Sequence, residues 1–138
     1  MEEKANILIV DDEEVMRNLF TDLLSEQGYE VTCSSNGKEA IERVKEKSFQ
    51  IAFIDVHMPI MNGAETVRAI RELSPSTEAV MMDSFPDIFL AQALKEGAIA
   101  CVHKPFNIQE IIGLVREILE KRQKGCARAI SWVLMTKR

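Results

Sequence analysis

The chain has 138 residues, 46% hydrophobic and 28% charged, the size and balance of one soluble globular domain able to bury roughly two-thirds of its unfolded surface. That balance excludes a collagen-like, coiled-coil or disordered chain, and no apolar run approaches the roughly 18 residues of a membrane helix. The net charge of −5 is uneven: all 22 acidic residues and 12 of the 17 basic ones lie in 1–121, for a net −10, while Arg122, Lys124, Arg128, Lys137 and Arg138 leave 122–138 at +5.

Asn6-Ile7-Leu8-Ile9-Val10 reads as a central parallel strand, apolar on both faces. From Glu13 the period turns helical, with Val15, Met16, Leu19, Phe20, Leu23 and Leu24 on the apolar side and Gly28 as a stop. Tyr29 to Cys33 is a short strand, and Ser35-Asn36 caps a helix that carries Ala40, Ile41 and Val44. Ile51-Ala52-Phe53-Ile54 is the third strand and ends at Asp55. A helix over Ala64 to Leu73 and a strand over Ala79 to Met82 follow, with Met81 and Met82 as core. Ile88 to Glu96 is a short helix stopped by Gly97, and Ile99 to Val102 is the fifth strand. Ile108, Ile111, Ile112, Val115, Ile118 and Leu119 stripe the last helix. Strict alternation of this kind predicts an α/β fold: one doubly wound parallel sheet of five strands with helices on both faces.

The domain is expected over 1–121, with 122–138 as a basic C-terminal tail or truncated linker. The acidic body argues against direct nucleic-acid binding by the core. Met1-Glu2-Glu3-Lys4 lacks the apolar core of a secretory signal, so a cytoplasmic protein without membrane contact is expected. Cys33, Cys101 and Cys126 are odd in number and show no metal-ligand spacing, which reads as reduced thiols. Trp132 sits in an apolar patch over 129–135, either a partner anchor or the start of a linker.

In open α/β sheets ligands bind beyond the carboxyl ends of the strands, where strand order reverses. The first strand ends in Asp11-Asp12, the third in Asp55, the fourth in Asp83-Ser84 and the fifth in His103-Lys104-Pro105. Each residue alone has a plain reading as a helix cap or an ion pair. Together they set several carboxylates against one lysine, and unit charges about 4 Å apart repel by roughly 4 kcal/mol at an effective dielectric of 20. A hard divalent cation such as Mg²⁺ resolves that repulsion.

Val10-Asp11-Asp12-Glu13, Asp55-Val56-His57-Met58-Pro59-Ile60-Met61-Asn62-Gly63 and Lys104-Pro105-Phe106 resemble the receiver domain of two-component response regulators, in order and spacing over about residues 5–121. The resemblance implies a flavodoxin-like sheet of order 2-1-3-4-5 and a phosphoacceptor role for Asp55, charged by a sensor histidine kinase or phosphotransfer protein. It implies Mg²⁺ held by Asp12 directly, by Asp11 through water, by Asp55 and by the backbone carbonyl of His57. Lys104 would bind a phosphoryl oxygen through a loop whose bond to Pro105 is cis, and Gly63 would permit the turn after the third strand. The His57 side chain would flank the entrance and tune rates. Such a protein is a regulatory phosphoacceptor rather than an enzyme, with at most self-phosphorylation from small phosphodonors and autodephosphorylation. A downstream protein target would bind the face around Phe85 and the last helix.

One position departs from the family pattern. Asp83 stands where the family places Thr or Ser, whose hydroxyl contacts the phosphoryl group; a carboxylate cannot donate, and the Ser84 hydroxyl is its nearest substitute. Two other readings therefore stand beside the first. One is a degenerate receiver acting as a phosphorylation-independent interaction module. The other is a haloacid-dehalogenase-type phosphotransfer enzyme, which would want a second Asp where this chain has His57.

Overall fold

The computed structural model describes residues 4–84 and 88–123. The elements follow in the order β1 (Asn6–Val10), α1 (Glu14–Glu26), β2 (Glu30–Ser34), α2 (Gly37–Glu46), β3 (Ile51–Asp55), α3 (Gly63–Leu73), β4 (Glu78–Asp83), α4 (Ile88–Lys95), β5 (Ala100–His103) and α5 (Ile108–Gln123). All pairings are parallel, in the order β2-β1-β3-β4-β5. The expected fold is thus the observed one.

The two faces of the sheet sort by strand parity, because successive side chains point to opposite sides. Ile7, Ile9, Phe53, Val80 and Met82 face α1 and α5, where Phe20, Leu24, Ile111 and Ile118 cover them. Leu8, Val10, Ile54, Met81 and Cys101 face α2, α3 and α4, against Ala40, Val44, Val67, Ile70 and Leu90. Met81 and Met82 are core on opposite sides, as their neighbouring positions require.

Caps set the helix starts. Asn36 accepts the Glu39 N–H at 2.9 Å, while Glu39 accepts the Ser35 N–H at 2.8 Å. Asn62 and Glu65 form a reciprocal capping box at the start of α3, with bonds of 2.9 and 3.0 Å. Gly28 and Gly97 end α1 and α4 at φ 94° and 118°, the left-handed region only glycine enters freely.

Three expectations are corrected. Val15 and Leu19, expected on the buried side of α1, are 75% and 42% exposed, and Ile108 at the start of α5 is also exposed. The strand expected over Tyr29 to Cys33 starts a residue later, since the Tyr29 N–H still bonds the Leu24 carbonyl of α1 at 3.2 Å. The fifth strand also shifts by one residue, to the register in which Ala100 pairs with Val80 and His103 with Asp83. No helix among the described residues is long and apolar enough to cross a membrane. Phe85, Cys126, the apolar patch around Trp132 and all of 124–138 lie outside the described residues.

Candidate phosphoacceptor site

The chain leaves β1 for the sheet edge at β2 and then returns to β3 on the other side of β1, so the carboxyl ends of β1 and β3 lie side by side at the reversal. Asp11 follows β1 and Asp55 ends β3, both buried, with exposed Asp12 beside them. Carboxylate oxygens of Asp11, Asp12 and Asp55 lie within 4.8 Å of one another. The β5–α5 loop brings in Lys104, whose Nζ is 3.4 Å from Asp11 Oδ2, 3.5 Å from Asp55 Oδ2 and 3.5 Å from Glu13 Oε1. The Lys104–Pro105 bond is cis, as the resemblance implied. Behind it, the Phe106 ring meets Phe20 edge-on at 5.2 Å, and Phe20 packs on Phe53 of β3 at the same distance. The lysine loop is therefore tied to the core beneath Asp55.

Backbone groups orient the acids. The Glu13 N–H donates to Asp11 Oδ1 at 2.9 Å, and the His57 N–H donates to Asp55 Oδ1 at 3.2 Å. Arg17 donates to the Asp11 carbonyl at 2.9 Å. Glu13 belongs to the first acidic motif, but its contact with Lys104 depends on the fold of a loop 91 residues away and is not legible from spacing.

Burial, and then the neighbouring charge of Asp11, pushes the Asp55 carboxyl up to about 6. Burial likewise raises Asp11 above the ordinary aspartate value, against the pull of the Glu13 N–H and Lys104. Burial disfavours the Lys104 ammonium, yet Asp55, Asp11 and Glu13 together outweigh it and hold Lys104 above the usual lysine range. One ammonium does not satisfy three clustered carboxylates. The donor set is all oxygen, which fits a hard divalent cation such as Mg²⁺.

Gly63 acts through space rather than conformation. A Cβ there would lie 2.7 Å from the Asp55 carbonyl oxygen, 2.9 Å from Val56 Cα and 2.8 Å from the Met81 methyl. Its φ is not in the left-handed region; that conformation falls on Ile60, at φ 75°. The exposed His57 ring stands edge-on to Phe89 of α4 at 5.6 Å, at the rim of the site.

The structure turns Asp83 elsewhere. Its carboxylate is fully buried, with Oδ1 2.6 Å from His103 Nδ1 and 3.3 Å from Cys101 Sγ. Ser84 is exposed at the end of β4. Cys33 and Cys101 are free thiols, and Cys101 joins Asp83 and His103 in a second cluster whose side-chain S, N and O atoms lie within 4.8 Å of one another. A Cys-x-His on one strand face, with an acid on the next strand, was the signal for it.

A model of the family described as response regulator receiver domain matches residues 7–116. The chain is 34% identical over 117 residues to a transcriptional regulatory protein, the CpxR homolog of Haemophilus influenzae, covering 85% of this chain and 51% of that protein. It is 31% identical over 114 residues to the chemotaxis protein CheY of Thermotoga maritima, covering 81% of this chain and 95% of that one. A CheY-like receiver domain protein of Methanospirillum hungatei superposes with a TM-score of 0.86 at 26% identity, covering 89% and 99% of the two chains. This chain belongs to the response regulator receiver domain family, the regulatory phosphoacceptors of two-component systems. It spans about half the length of the CpxR homolog, and the matches support neither the dehalogenase-type nor the phosphate-independent reading.

Proposed function

We propose that the protein accepts a phosphoryl group on Asp55 from a phosphohistidine of a sensor kinase or phosphotransfer protein, in a Mg²⁺-dependent reaction, and signals through protein–protein contacts. The observation that carries this reading is the placement of Asp55 against Asp11, Asp12 and Lys104 at the reversal of the sheet.

An Asp55 carboxylate oxygen attacks phosphorus, the P–N bond to the donor imidazole breaks, and an acyl phosphate forms on Asp55. The His57 N–H holds Asp55 Oδ1, which orients the carboxylate for attack. Lys104 already spans Asp11 and Asp55, and it moves its donors onto the phosphoryl oxygens as charge builds there. Asp12, Asp55 and the His57 carbonyl would hold Mg²⁺ directly, and Asp11 would hold it through water. When bound, Mg²⁺ supplies the positive charge that lets a dianionic group enter an acidic pocket.

The His57 side chain, exposed beside Phe89, tunes access rather than chemistry. Self-phosphorylation from small phosphodonors and autodephosphorylation belong to the same site. The receiver is assigned to 1–121 and a basic tail or linker to 122–138, in a cytoplasmic protein. Ile108 and Ile111 of α5, with Met16, Leu19 and Leu23 of α1 and Pro105, line an apolar groove of about 300 Å³ next to Lys104, which supports a partner contact on the last helix. Incubation with acetyl phosphate and Mg²⁺ tests the reading: intact mass gains one phosphoryl group, the gain disappears with chelator, and Asp55→Asn shows none. A gain undiminished in Asp55→Asn contradicts it.

A further inference from the structure

The geometry points to a second metal site, for a borderline-soft transition-metal ion such as Zn²⁺, formed by Asp83, Cys101 and His103 at the β4–β5 edge of the sheet. It differs from the Asp11–Asp12–Asp55 cluster in place and in donor chemistry.

Strand geometry assembles it. Cys101 and His103 are two residues apart on β5, so their side chains leave the same face, and Asp83 pairs with His103 across the parallel ladder. The result is one sulfur, one imidazole nitrogen and one carboxylate oxygen, all within 4.8 Å. Cys101 is 1% exposed and Asp83 is fully buried, while the His103 side chain keeps 9% exposure at the rim.

The unbalanced group is the carboxylate. Asp83 Oδ1 is taken up by His103 Nδ1 and Cys101 Sγ, but Asp83 Oδ2 is buried with no hydrogen-bond partner. Buried polar atoms are rarely left so, and a carboxylate oxygen is among the most costly to strand. A divalent ion on this carboxylate offsets its buried charge as a whole, Oδ2 included. Carboxylate and thiolate supply two negative charges and a neutral imidazole supplies none, so the occupied site is neutral in a low-dielectric setting. The S, N and O donors suit Zn²⁺ or Co²⁺ and reject Mg²⁺, which prefers oxygen alone.

Binding displaces the Cys101 thiol proton and the proton between His103 Nδ1 and Asp83. Donors about 2.0–2.1 Å from one tetrahedral ion stand roughly 3.3 Å apart, so the 2.6 Å contact opens by less than 1 Å. The ion would also brace the phosphoacceptor site, since the Lys104 N–H donates to the Asp83 carbonyl at 2.6 Å.

The test uses the full chain with Cys33→Ser and Cys126→Ser, in excess Mg²⁺ so that the oxygen cluster is occupied. Co²⁺ titration should give a 1:1 thiolate-to-cobalt charge-transfer band with tetrahedral d–d bands, both erased by Zn²⁺. Cys101→Ser should abolish the charge-transfer band, and Asp83→Asn and His103→Gln should each weaken binding at least tenfold while circular dichroism shows them folded. His103, at the rim, guards against loss of fold in the Cys101 variant. Absence of the band, or equal affinity in Asp83→Asn and His103→Gln, overturns the proposal. So does cobalt binding that is lost in Asp12→Ala instead.

Discussion

Asp83 Oδ1 lies 2.6 Å from His103 Nδ1 across the last pair of the β4–β5 ladder, which groups this carboxylate with His103 and Cys101 rather than with Asp11, Asp12 and Asp55. The position usually held by a hydroxyl is therefore filled by a group committed to its neighbour strand. Charge repulsion and the missing donor separate experimentally. Asp83→Thr adds a hydroxyl worth about 1.5–3 kcal/mol against a charged acceptor, and should bind the phosphoryl mimic beryllofluoride about tenfold tighter than wild type. Asp83→Ala removes the charge without adding a donor and should stay within about twofold. Equal tightening in both variants would show that the Asp83 charge reaches the site.

The metal-free protein should gain stability on mild acidification. The Asp55 carboxyl, at about 6 in the folded chain because of burial and Asp11, sits near 3.9 when unfolded. The folded state thus holds this proton more tightly, and its stabilising effect is lost as pH rises from about 4 through 6, by up to about 3 kcal/mol. Asp11 shifts in the same direction. Asp55→Asn should accordingly be more stable than wild type by about 1–3 kcal/mol at pH 7 in chelator, and the gap should close toward pH 4.5. Saturating Mg²⁺ should narrow it at pH 7. Urea denaturation at the two pH values reads this, and a gap independent of pH contradicts it.

Gly63→Ala should cost about 2–3 kcal/mol, because two of the three atoms its Cβ meets are backbone and cannot step aside. Gly113→Ala, at an exposed position of α5 with nothing within 4 Å of the added methyl, should instead stabilise by about 0.5–1 kcal/mol. Chemical denaturation of the pair separates a packing glycine from an incidental one.

Ile60 holds φ 75° while 72% exposed, so it carries the strain of a left-handed β-branched residue without compensating burial. Ile60→Asn should raise stability by about 0.5–1 kcal/mol and Ile60→Val should not. Equal thermal midpoints for all three proteins would contradict the strain.

What the sequence disclosed depends on the range of the interaction. Strands apolar on both faces, the Asn36 cap and the Gly28 and Gly97 stops are local signals, and the structure keeps them. The Asp11, Asp12, Asp55 and Lys104 cluster follows once strand ends and sheet reversal are known. Val15 was misplaced because an apolar set can be wider than the stripe facing the sheet: at roughly 100° per residue it lies roughly 140° around α1 from buried Phe20. The direction of Asp83 depends on its register with a strand 20 residues away, and the pairing with Cys101 on that register too. Neither is encoded in nearby residues.

The central claim is that Asp55 forms the acyl phosphate. After incubation with acetyl phosphate and Mg²⁺, borohydride reduction converts a phosphorylated aspartate to homoserine, and peptide mass mapping locates it. The account predicts homoserine at position 55 alone. Homoserine at Asp11, Asp12 or Asp83, or none in protein whose intact mass shows a phosphoryl group, would contradict it.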